Sequence, residues 1–335
     1  MKKLIVIFIV LLLLPSAGSD LINPPVASDE EQVRRLELVG KIKAFEKTLG
    51  FKETENFRYY SEKTEAFDYH YFTSRTALPY SFEDPLLQWG VGSSESVSID
   101  RKKYDVFYYS VEAVAGVKTP VTGSLLKAPL PRFIHVIFHE DWHEQIDLPN
   151  GIEEPAAEVV GYGAALLFAG EEFGRDSEVY RTLEAEYQDK LKESKIYGNY
   201  HQLLDTLYTS FKSGEVLEAQ TLSRKADLLA SLGDDLEQVW GGRPDQLNNA
   251  YLAFQITYSR HFPLMYELYL ATGSDLAKTI EIFLAMPHKG VKFKDVAELK
   301  GLEGDITGYL EGVLRQQSRS PMSYPAHPIN LSLTR

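Results

Sequence analysis

The spacing of apolar residues changes character twice along the chain. After an extended stretch at Leu21–Ala27, Ser28 and Glu31 form a capping box, and Val33, Leu36, Val39, Ile42, Phe45 and Leu49 recur at helical spacing. Gly50 suits the stop of that helix. From Phe57 to Val117 the texture becomes aromatic and β-branched, and Tyr104–Val117 alternates as a strand does. From Pro131 onward the pattern is helical almost to the end. The spacing predicts one helix over Phe133–Ile146, with Pro129 and Pro131 at its start, and a second over Pro155–Phe168. Charged helices are predicted around Asp176–Lys192, Tyr200–Lys212 and Val216–Leu232, the first of them with a solvated face. An apolar segment over Leu247–Tyr269 and another over Leu276–Leu284, capped by Ser274, complete the series. The expected fold is α+β and predominantly α-helical, with a small mixed β region toward the N-terminus packed on a helical core.

Composition narrows the function classes. A net charge of −13 argues against a nucleic-acid binder, whose affinity comes from Lys and Arg on phosphates. Cysteine is absent, which removes disulfides, thiolate metal ligands and a thiol nucleophile together. A transition-metal site must then come from carboxylates and the eight histidines. Residues 1–19 read as a signal peptide. Lys2 and Lys3 precede the apolar run Leu4–Leu14, and small residues at Ala17 and Ser19 suit cleavage after Ser19. That run is shorter than the roughly 20 residues a membrane span needs. The expectation is export to the periplasm or the cell exterior with no membrane span after cleavage. Residues 20–30 then form a linker, 31–318 a single domain and 319–335 a flexible tail.

One motif carries chemistry: His139-Glu140-Asp141-Trp142-His143. On a helix the two histidines lie one turn apart, so both imidazoles leave one face and can meet one metal ion. Glu140 lies about 100° further round and can reach a water on that ion without binding it. Hydrolysis needs this arrangement, because zinc brings the pKa of its water to about 7 while a carboxylate accepts the proton. Downstream, Glu154 can serve as third ligand. Pro155 belongs in a first helical turn, which places Glu154 at a helix mouth and leaves Glu153 in the loop before it. Glu158, one turn on, can accept a hydrogen bond from the non-ligating nitrogen of a metal-bound histidine.

These residues resemble the thermolysin-type zinc peptidases and, more closely, a bacterial family of predicted exported zinc aminopeptidases. The likeness rests on Ile137-Phe138-His139-Glu140 with His143, on the short gap to Glu154, and on Leu247-Asn248-Asn249-Ala250 opening an apolar segment to Tyr258. With Tyr59-Tyr60 and the early helix it spans roughly residues 31–290. It implies a zincin-like core, one Zn²⁺ per chain on His139, His143 and Glu154, Glu140 as catalytic carboxylate, and Glu158 as the acid behind a ligand. Asp141-Trp142 stand where the family has a Leu-Ala pair, and the lipid-bearing Cys common in the family is missing.

Alternatives stay open at several positions. His135 extends a ladder to His139 and His143, but residues eight apart on a helix are about 12 Å apart, so it reads as core or as a neighbour of a ligand. Glu153 competes with Glu154 as ligand. Tyr258 is either core or a donor to an oxyanion, with His261 as its rival. Asn248 and Asn249 read as a helix cap. The expected function is a zinc metallopeptidase acting on a peptide substrate, an aminopeptidase by resemblance. The other class is an exported binding or scaffold protein with a structural, non-catalytic zinc.

Overall fold

A computed structural model describes residues 29–116 and 118–319. Residues 1–28, which include the segment read as a signal peptide, most of the stretch read as a linker and Ser28, lie outside the described residues, as do Val117 and residues 320–335. The chain is predominantly helical, with one small antiparallel sheet. Helix α1 spans Asp29–Thr48, and Gly50 follows it with a φ of 83° that favours glycine. Its stripe meets the core through Leu38, Val39 and Ile42.

Strands β1 (Phe67–Ser74), β2 (Gln88–Val91) and β3 (Tyr104–Val111) form a sheet in the order β2-β1-β3. The third strand ends six residues before the expected limit at Val117, in a turn at Ala115-Gly116. Register pairs Tyr69 with Tyr109 and Tyr71 with Phe107, so these four rings share one face.

The short helix α2 (Gly123–Lys127) leads into α3 (Leu130–His143) and α4 (Asn150–Glu172). Helix α3 begins at the expected prolines but three residues earlier than predicted, and it ends at the motif. Helix α4 starts five residues before Pro155. Pro149 caps it, and the Ile152 and Glu153 amides bond back to the Pro149 carbonyl. Pro155 therefore sits inside the helix, where its missing N–H costs one backbone bond. The expectation that it marks the first turn fails here, because Asn150-Gly151 read as loop and in fact open the helix.

Helix α5 (Glu178–Lys212) runs unbroken where two helices were expected, and α6 (Glu218–Trp240) extends beyond Leu232. The apolar segment from Leu247 divides into α7 (Asn249–Ser259) and α8 (Phe262–Ala271). Helix α9 (Leu276–Leu284) is capped by Asp275 rather than Ser274, whose φ of 59° removes it from the capping position. A final helix, α10 (Val296–Arg319), was not anticipated.

Two hydrophobic clusters organise the packing. One joins α1, α3, α4, α8 and α9. The other joins the sheet to α7 and parts of α5 and α6. Phe254 of α7 sits at the centre of the second, with ring centroids 5.1 Å from Tyr71 and Tyr109. Helix α4 packs on both α3 and α7, so polar residues on these helices meet where the clusters join. Among the described residues no helix is long and apolar enough to cross a membrane.

Candidate metal centre

Every residue of α3 from Arg132 to His143 is buried. A helix this apolar on its other faces can bury a polar stripe only if something satisfies it. The stripe is Arg132, His135, His139 and His143, and α4 presents Glu153, Glu154 and Glu158 to it. Close approach depends on Gly161, where a Cβ would lie 3.1 Å from Nε2 of His135 and 3.2 Å from Cβ of His139.

His139, His143 and Glu154 come together as expected. Oε2 of Glu154 lies 3.3 Å from Nε2 of His139 and 3.4 Å from Nε2 of His143. Bonds of about 2.05 Å from a tetrahedral ion imply donor separations of about 3.3 Å. The Nε2 of His143 and the Oε1 of Glu154 have no hydrogen-bond partner. Buried imidazoles and a carboxylate left this way fit a divalent cation in a site of nitrogen and oxygen donors.

The charges point the same way. Burial pushes the Glu154 carboxyl up to about 8, although His143 beside it pulls down. Burial, with the neighbouring His143 and His135, holds the His139 imidazole well below its ordinary range. A cation held among these groups would return the carboxylate to its ionised form, and the lowered His139 keeps that imidazole free to bind it.

Glu140 leaves the other side of α3's polar stripe, fully buried, with no side-chain partner and only the Ala115 amide near its carboxylate. Burial raises it well above the usual carboxylate range, opposed by the Ala115 amide that follows β3. The Tyr258 hydroxyl is likewise buried without a partner, and burial and the charge of Glu154 keep it protonated. Tyr109 senses the charges of both Glu140 and Glu154 from the sheet side.

Three expectations change. Glu153 is not in a loop. It lies in α4, buried, and its Oε1 is 2.8 Å from Nδ1 of His143, while Oε2 accepts the Leu148 amide at 2.8 Å. It therefore does for His143 what Glu158 was expected to do. Glu158 instead faces His135, 3.5 Å from its Nε2, and Lys190 of α5, 3.6 Å away. Burial alone would raise the Glu158 carboxyl, but Lys190 and His135 hold it below the usual range. Helix α5 is not simply a solvated face either, since Lys190 is buried and also bonds Glu193 at 2.9 Å.

His135, His139 and Glu158 form a second group with donor atoms close together. The Lys190 ammonium already supplies the positive charge Glu158 needs, so this group fits a cation less well than the first. His261 turns away from the oxyanion role, its Nε2 lying 3.0 Å from Glu303. Asn248 caps α7 as expected, and Asn249 holds the Ala77 carbonyl and the Tyr208 hydroxyl. Lys190, Arg132, Tyr71 and Tyr109 escaped the sequence reading. Only Arg132 carried a signal, its spacing of three and seven residues before His135 and His139. No family model, no curated protein and no solved structure matches the chain.

Proposed function

We propose that the protein is a zinc-dependent hydrolase of peptide bonds, exported from the cytoplasm, with one zinc held by His139, His143 and Glu154. The observation that carries this reading is the convergence of three buried donor atoms, with Oε2 of Glu154 3.3 and 3.4 Å from the two imidazole nitrogens, the spacing of donors around a tetrahedral zinc. When bound, zinc would acidify a water and polarise the scissile carbonyl. Glu140 takes the proton of the attacking water and later gives it to the leaving amine. Its raised pKa suits the half in which it holds and then gives up that proton, and the charge of a bound zinc nearby would favour its ionised form for the first half. Tyr258 donates its hydroxyl proton to the developing oxyanion, a bond worth about 10²–10³ in rate. Glu153 fixes the His143 ring through its second nitrogen. The family resemblance favours aminopeptidase action within this class.

A second reading, a structural zinc in a binding protein, draws on one observation: the ligands and Glu140 are wholly buried. Against it stands the Glu140 carboxylate, buried beside the ligands with no side-chain partner, an acid that a closed structural site does not need. Elemental analysis and peptide cleavage decide between them. The purified chain should carry one zinc and release amino acids from a peptide mixture. Glu140→Gln should keep the zinc and lose about two to four decades of rate. Zinc with no cleavage by the native chain would favour the structural reading.

A further inference from the structure

Arg132 lies on the same stripe of α3 as the histidines, two turns and about 10 Å along the axis from His139. Its side chain is 9% exposed. Nε donates to Oε1 of Glu112 at 2.9 Å and Nη2 to Oε2 at 2.6 Å, a two-pronged pair. Nη1 remains, buried and without any partner. A guanidinium cannot shed its proton, so a permanent cation keeps unmet N–H donors inside the protein. That arrangement is costly unless something arrives to accept them.

The neighbours do not meet this need. Glu186 of α5 faces Arg132, yet its own buried Oε2 has no partner, and burial pushes its carboxyl up to about 7. Lys190 and Glu158 are engaged with each other and with His135 and Glu193. The charges of Arg132 and Glu112 and those of Glu140 and Glu154 all act on the buried Tyr109 hydroxyl.

We propose that Nη1 of Arg132 receives the free C-terminal carboxylate of a short peptide, about three residues beyond the bond that is cut. An extended chain covers at most about 3.5 Å per residue, so about three residues span the roughly 10 Å along α3 from His139 to Arg132. The carboxylate accepts the unmet donors, and the Glu112 pair holds the fork in place. The substrates are thereby short peptides with a free acid end rather than internal segments of long chains. This rests on the peptidase reading of the same site. An aspartate or glutamate side chain offers the same chemistry, and the test separates the two sources.

The test uses the full chain loaded with zinc and three probes: tetraalanine, its C-terminal amide, and a tetrapeptide amide ending in glutamate. Calorimetry with the Glu140→Gln protein measures binding without turnover, and kcat/KM is measured on the native chain. The free acid should bind and react at least about tenfold better than either amide. Arg132→Lys, which keeps the charge but loses the fork, should reduce that preference to below about threefold. The double variant Arg132→Gln with Glu112→Gln leaves no unpaired charge, and it should lose the preference while binding zinc normally. Equal binding of acid and amide, or a preference that survives in both variants, overturns the proposal. Tight binding of the glutamate amide overturns the C-terminal assignment. If no probe is hydrolysed, the peptidase reading falls, and the calorimetric ratio alone then decides the role of Arg132.

Discussion

The glutamates of α4 divide their work by which imidazole nitrogen they meet. Oε2 of Glu154 faces both Nε2 atoms, whereas Glu153 holds Nδ1 of His143. A neutral imidazole that accepts a metal at one nitrogen must carry its proton on the other, and Glu153 stands where that proton is. Replacing Glu154 by Gln removes the charge that balances the cation, and His143→Ala leaves two ligands. Both should abolish stoichiometric zinc in a metal titration. Glu153→Gln should weaken zinc by about 10–100-fold, since the change lies behind a ligand. Glu158→Gln, which meets His135 and Lys190 instead, should cost less than Glu153→Gln. A titration that ranks Glu158 above Glu153 would contradict the assignment. The motif's unusual interior also has a reason at this scale. Asp141 is buried but accepts from Lys43, Thr54 and Asn56, and Trp142 packs on Phe51 and Phe283. That network ties α1 and the segment after it to the back of the motif helix.

Two elements, α3 and α4, hold every proposed zinc ligand, and their separation is set where glycine stands. Because a Cβ at Gly161 would press on His135 and His139, substitution there acts on the metal through helix spacing. Gly161→Ala favours the helix by roughly 1 kcal/mol and asks its neighbours to shift a few tenths of an ångström, so fold stability should change little while zinc binding weakens. Gly161→Val should separate the helices and lose zinc, with helix content by circular dichroism retained. Unaltered zinc affinity in the valine variant would show that the spacing does not matter. The two helices were legible in sequence, and so were His139, His143 and Glu154, because helical periodicity and a one-turn spacing are local properties. The start of α4 was not. Pro155 reads as a first-turn residue, while the true start is set by Pro149 and by the Ile152 and Glu153 amides bonding its carbonyl. One turn of error there moved Glu153 from loop to helix and hid its bond to His143. The contribution of α5 was hidden for a different reason. Lys190 looks solvated among charges, and only the packing of α4 against α5 buries it.

At the scale of the whole molecule, buried carboxyls give the metal-free protein a characteristic pH response. Burial raises Glu83, which accepts the Asn150 amide at the start of α4, to about 8, and raises Glu46 to about 10. Glu154 without its cation joins them at about 8. In the unfolded chain each titrates near 4.3. Between those limits the folded state binds more protons than the unfolded state, so stability falls as pH rises. Buried histidines act in the opposite direction lower down. His201, held near 4 mainly by burial, makes the folded state the less protonated one until about pH 6.5, so its contribution to stability grows with pH up to that point. Above about pH 6.5 the His201 contribution levels off, and the raised carboxyls set the trend. The chelated protein should therefore lose melting temperature steadily from pH 6.5 to 8.5, each carboxyl contributing up to about 1.4 kcal/mol per pH unit. Glu83→Gln keeps an acceptor for the Asn150 amide and removes one titration, so its slope should be shallower than that of the native chain. Zinc should flatten the slope too, because the cation holds Glu154 ionised at every pH in the window. Calorimetric melts at three pH values, with and without zinc, measure all three slopes. If the chelated protein grows more stable above pH 6.5, the buried carboxyls are not the groups that govern its stability, and Glu154 does not need a cation to stay charged.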